Sequence, residues 1–173
     1  MSDIEPVASK PRLPPRWFIR FFWQAHRRLY RVSGGRFGLR RPKPGGYGIL
    51  CLDTIGRLTG QQHSVMVGYF EDGANFVTMA MNGWGAAEPA WWLKLQAHPA
   101  VTAHLVDGSV TVAGRAAQDE ERERLWDQWT QIDKNLDGYA ARRPAETAVV
   151  VLEPQLGTSP RSLFRQGRCH FEH

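Results

Sequence analysis

The sequence predicts an α+β fold dominated by antiparallel β structure, a barrel with a few helices interposed. Three observations point there. Six short runs have strand composition: YGILCLDTI, HSVMVGYFE, ANFVTMAMN, AVTAHLV, GSVTVAGRA and TAVVVLEP. Two of the joints between them carry Asp-Gly, at Asp72-Gly73 and Asp107-Gly108, the dipeptide that favours a tight hairpin. Only two helical patterns interrupt the strands beyond Gly46, so the regular βα alternation of a doubly wound parallel sheet is missing. The phosphate cradles GxGxxG and GxxxxGK[ST] are missing as well.

The elements follow in order. Residues 1–15 are rich in proline and charge and read as a disordered leader. Residues 16–46 form a second unit. RWFIRFFWQAHRRLYRV, from Arg16 to Val32, sets Trp17, Phe21, Phe22, Ala25 and Leu29 on one side of a helix and arginines mostly elsewhere, and a basic Gly/Pro loop ends it. The domain proper spans residues 47–154, with three strands first. Pro89 then opens a short helix, AWWLKLQA, closed by His98-Pro99. After the second hairpin, DEERERLWDQWTQI starts with carboxylates that suit the positive end of a helix dipole, and Trp126 and Trp129 read as its buried face. The final strand ends at Pro154, and residues 155–173 form a polar tail.

With 173 residues, 42% hydrophobic and 23% charged, the chain suits one soluble domain. The net charge of +5 is unevenly placed. Residues 1–46 hold 11 Lys+Arg against 2 Asp+Glu, whereas residues 47–173 hold 11 against 15, so the body behind the basic arm is mildly acidic. This argues against a nucleic-acid partner and offers the Arg16–Val32 helix as one that meets an anionic membrane surface, folds over the barrel mouth, or packs permanently on the barrel as ordinary core. Two cysteines, Cys51 and Cys169, form no CxxC pair, and no metal is expected. The absence of a signal or spanning segment leaves a cytoplasmic location, peripheral at the inner membrane face if the arm binds lipid.

The stretches that carry chemistry are Thr54-Ile55-Gly56-Arg57-Leu58-Thr59-Gly60, Ala80-Met81-Asn82-Gly83-Trp84-Gly85 and Pro89-Ala90-Trp91-Trp92. A glycine-bounded turn with an arginine and a hydroxyl offers backbone donors and a bidentate cation, the pieces that hold a phosphate or a carboxylate tail. Equally, it reads as an ordinary hairpin turn. The second glycine-rich turn lets backbone approach a planar ring, and Met66, Met79 and Met81 lie on neighbouring strands.

From about residue 47 to 154 the chain resembles the deazaflavin-dependent nitroreductases, a branch of the flavin-binding split β-barrels. The family pattern is TTGR-x-[ST]-G, then an AS-[NK]-GG-like turn, then HPAWY-x-NL-x-ANP, an acidic helix, a tyrosine segment and VVVLEP. This chain keeps the order, with AEPAWWLKLQAHP in the middle and VVVLEP at the end. The resemblance implies a split barrel in which reduced deazaflavin F420 donates hydride to a quinone, nitroaromatic or activated alkene. It implies that Arg57, Leu58, Thr59, Gly60 and His63 hold the phosphate end. Met66, Met81, Asn82, Gly83, Trp84, Gly85, Ala90 and Trp91 then flank the ring, and Tyr139 polarises the acceptor as the catalytic residue. It also implies a homodimer, since such barrels pair across open sheet edges.

Several positions depart from that pattern. Leu58 follows the GR where a basic residue is common, His63 stands for a second cation, and Tyr139 is the sole tyrosine of its segment. Lys94 replaces the asparagine of WY-x-NL and supplies a compensating cation. A second reading stays open: a barrel that has lost F420 and binds a lipid or small ligand, performs a non-redox biosynthetic step, or holds FMN or haem.

Overall fold

The computed structural model describes residues 38–81 and 85–155. The leader, the Arg16–Val32 helix reading and the tail lie outside the described residues, as do Asn82, Gly83 and Trp84. The elements are β1 (Gly48–Ile55), β2 (Gln62–Asp72), β3 (Asn75–Met79), α1 (Ala90–Ala97), β4 (Ala100–Leu105), β5 (Gly108–Ala116), α2 (Asp119–Ile132), α3 (Leu136–Ala140) and β6 (Val149–Pro154). All six strands pair antiparallel and close into a barrel in the order β1-β2-β3-β6-β5-β4.

The hairpin signals fold as the sequence predicts. Gly73 takes φ +62° between β2 and β3, and Gly108 takes φ +141° at the start of β5. Closure depends on pairs distant in sequence: Cys51–Asp53 against Thr102–His104 joins β1 to β4, and Phe76–Met79 against Val149–Leu152 joins β3 to β6. Arg40 and Ile49 exchange backbone hydrogen bonds of 3.0 and 2.7 Å, so the segment before β1 adds one bridge to that strand.

Alternation along the strands divides the apolar residues into two faces. Leu50, Leu52, Val67, Tyr69, Ala103, Val112, Val150 and Leu152 share the inner cluster, which Trp91, Trp92 and Leu95 of α1 complete. The opposite face of β2, β3 and β6 presents Phe70, Val77, Met79, Val149 and Val151, covered by Leu125 and Trp129 of α2 and Leu136 of α3. Trp129 is buried as its spacing predicts. Trp126 is only half-buried, its Nε1–H donating to Asp137 Oδ1 at 2.8 Å. Arg124 clamps α2 onto the β2–β3 hairpin through both oxygens of Asp72, each at 2.8 Å, and this guanidinium holds the Asp72 carboxyl below its ordinary range.

The structure adds one helix to the sequence reading. Residues 136–140 wind into α3, anchored by the buried Leu136; a five-residue segment containing Gly138 has too short a period to be read as helical.

The seat of α1 on the barrel depends on Gly114. A Cβ there would run into Leu95 Cδ2 and lie 2.7 Å from Leu95 Cγ. Gly114→Ala should therefore overpack this contact and lower stability by about 1–3 kcal/mol, read from urea unfolding. An unchanged unfolding midpoint would mean that α1 shifts on the barrel without cost.

Candidate functional site

The joint between β1 and β2 is a compact turn. Gly56 N–H donates to Gln61 O at 2.7 Å, Gly60 N–H donates to Gly56 O at 2.9 Å, and Gly60 takes φ +68°, a conformation that suits glycine. Thr59 Oγ1 accepts from Gln61 N–H at 3.3 Å, while Thr54 Oγ1 donates to the His63 carbonyl at 3.0 Å. A Cβ on Gly56 would fall 2.7 Å from Thr59 Oγ1 and 3.5 Å from His63 Nε2. The hydroxyl and the imidazole thus converge on a backbone position that only glycine fits without displacement. Arg57, Leu58, Thr59, Gly60 and His63 are all exposed, Leu58 at 99%.

Lys94 stands in the last turn of α1. Burial lowers its pKa from the usual value, and the positive charge of Arg57 lowers it further. Neither cation forms an ion pair with a carboxylate among the described residues. Two cations of like charge and a threonine hydroxyl form a donor set that an anion would complete.

The remaining candidates divide by position. Trp91 and Trp92 are both buried and meet edge to face with centroids 6.3 Å apart, so they anchor α1 within the inner cluster. Ala90 is exposed at the start of that helix, and Gly85 is buried. Met81 is partly buried against the cluster under α2. Met66 lies with Cys51, Leu39 and Ile49 on the strand face opposite His63. Tyr139 is half-buried on α3, with the Arg142 guanidinium 6.0 Å from its ring centroid.

Two clusters of side chains escape sequence reasoning. The first crosses four strands on the outer face of the barrel: Ser64 donates to Asp53 Oδ1 at 2.5 Å, Asp53 Oδ2 meets His104 Nε2 at 2.7 Å, and His104 Nδ1 meets Ser109 Oγ at 2.7 Å. Asp53, His104 and Ser109 are buried. The second surrounds Arg143, whose side chain is 1% exposed. Its Nη1 donates to Ala80 O at 3.0 Å and to Thr147 Oγ1 at 2.8 Å, and its Nη2 donates to Glu88 Oε1 at 3.0 Å. One signal for it was available: the family motif quoted above carries histidine where this chain has Glu88, directly before Pro89.

A closed six-stranded antiparallel barrel with one helix in its inner cluster and others packed outside defines the class as a split-barrel protein. Known structures agree. One, described as a domain-swapped dimer, superposes with a TM-score of 0.59 at 22% identity, covering 81% of this chain and all of that one. Another, an F420-H2-dependent reductase, gives 0.55 at 22% identity over 61% of this chain and 93% of that one. The family model for F420H(2)-dependent quinone reductase matches residues 22–154, and the chain belongs to that family. It is an F420-dependent oxidoreductase. The donor chemistry of the β1–β2 turn, with Arg57 and a threonine hydroxyl exposed and no carboxylate ion-paired to Arg57 or Lys94 among the described residues, is compatible with an anionic group such as that cofactor's phosphate end. No helix among the described residues is long and apolar enough to cross a membrane.

Proposed function

We propose that Arg57, Thr59, Gly60, His63 and Lys94 hold the phosphate and carboxylate tail of F420, and that a quinone is the acceptor. The observation that carries this reading is the tight Gly56–Gly60 turn, which gathers the exposed Arg57, Thr59 and His63 at the β1–β2 joint. When bound and reduced, F420 supplies hydride. The chain's own part is to bind, orient and exclude water. The turn offers the Thr59 hydroxyl and the Arg57 fork, Lys94 adds a point charge, and the buried Trp91 and Trp92 fix the helix that carries it. Tyr139 O–H would donate to the acceptor oxygen as negative charge grows there. For Asn82, Gly83, Trp84 and Gly85 the ring-flanking role rests on the resemblance in sequence, with Met81 and Ala90 at the borders of that stretch.

A homodimer belongs to the same reading, supported by the domain-swapped dimer among similar structures. Light scattering on the purified protein checks it, and a monomer mass across concentrations would refute it.

The site is tested by titrating F420 while following tryptophan fluorescence, with inorganic phosphate as competitor. Saturable quenching at roughly micromolar concentrations is expected, weakened by phosphate. Quenching that phosphate leaves untouched would move the anionic end of F420 away from this turn.

A further inference from the structure

Arg143 has no part in binding as described, yet its charge is almost entirely withdrawn from water. Such burial is tolerated only where the guanidinium is paired and hydrogen-bonded. Its partners come from three separate segments: Ala80 directly after β3, Glu88 directly before Pro89 at the start of α1, and Thr147 on the approach to β6. Ala80 N–H in turn donates to Ala148 O at 2.9 Å, so the end of β3 is held from both sides. The carbonyl of Pro89 accepts from Trp92 and Leu93 at 3.0 and 3.2 Å, which makes the Glu88–Pro89 joint the foundation of α1's first turn.

We propose that Arg143 is a positioning residue for the cofactor site, fixing α1, and with it Lys94, against the end of β3 by bridging Ala80 O and the Glu88 carboxylate. This rests on the reading of Lys94 given above. Geometry requires arginine: one planar fork must point donors at a backbone carbonyl, a hydroxyl and a carboxylate in different directions. A lysine satisfies Glu88 with its charge but cannot span all three. Glu88 is the less buried partner, its side chain 31% exposed against 1% for Arg143, so the pair can be weakened from that side with less risk to folding.

The test compares wild type, Arg143→Lys and Glu88→Gln by hydrogen exchange without cofactor and by F420 titration. In Arg143→Lys, amides of residues 90–97 should exchange roughly tenfold faster, while those of the β4–β5 hairpin change less than about twofold. The F420 dissociation constant should rise by about tenfold. Glu88→Gln should shift both in the same direction by a smaller factor, and it carries the test if Arg143→Lys does not fold. Faster exchange spread evenly over barrel and helix would overturn the proposal, as would an unchanged dissociation constant in folded variants when Lys94→Ala itself weakens F420 binding. If Lys94→Ala, titrated alongside, leaves F420 binding unchanged, the site reading fails instead, and the local exchange pattern in α1 decides the bracing role by itself.

Discussion

Replacing Arg57 and Lys94 together by alanine should weaken F420 binding by a factor of about one hundred or more, with each single change giving about tenfold. The scale follows from charge-assisted hydrogen bonds at roughly 1.5–3 kcal/mol each. Stability should respond differently from affinity. The two cations repel in the free protein, so Arg57→Ala should leave the unfolding midpoint unchanged or slightly raised, and should let the Lys94 titration return toward its usual value.

The sign of the pH effect follows from the same shift. Between the lowered folded value of Lys94 and its unfolded value the unfolded chain binds more protons, so this group's contribution to stability rises with pH across that window. Affinity for an anion moves the other way. As Lys94 loses its proton within the same window, F420 should bind less tightly, and the decline should disappear in Lys94→Ala. Equal pH dependence in both proteins would remove Lys94 from the site.

Asp53→Leu should be among the most damaging single substitutions in the barrel. Asp53 accepts from Ser64 and from His104, and in the neutral imidazole with Nε2–H donated, Nδ1 accepts from Ser109. Removing the carboxylate strands the buried His104 N–H, at a cost of roughly 1–3 kcal/mol for a group left without a partner. Asp53→Asn should be milder. Its Oδ1 can still accept from Ser64, and its amide can donate to Nε2 once the other tautomer donates Nδ1–H to Ser109. Urea unfolding of the two variants checks the order, and equal losses would show that charge rather than hydrogen bonding sustains the network.

The strands were legible because their signals are local: alternation, Asp-Gly turns and bounding prolines act within a few residues. That locality is also why α2 matches the sequence reading residue for residue and α1 departs from it only at Pro89, which is extended and precedes the helix instead of forming its first position. The polar networks depend on register instead. Asp53 and His104 are 51 positions apart, and Glu88 and Arg143 are 55 apart, so neither pair carries a spacing that one sequence could disclose. The Gly56–His63 turn was readable through its motif. Lys94, 37 positions beyond Arg57, was readable as a companion cation only through the resemblance in motif, because nothing local to either residue ties them together.

The barrel order has a consequence for synthesis. β6 lies between β3 and β5, although it is the last strand of the barrel to leave the ribosome. Until residues 149–154 emerge, β3 and β5 each present a free edge, with the apolar surface of Val77, Met79 and Val112 beside them. Such edges invite pairing with other chains. Because β3 must also wait some 70 residues for its partner, loop closure is slow compared with formation of the two hairpins. Nascent chains stalled before Val149 should therefore be the aggregation-prone species, and binding by a chaperone should fall off sharply once β6 enters the barrel.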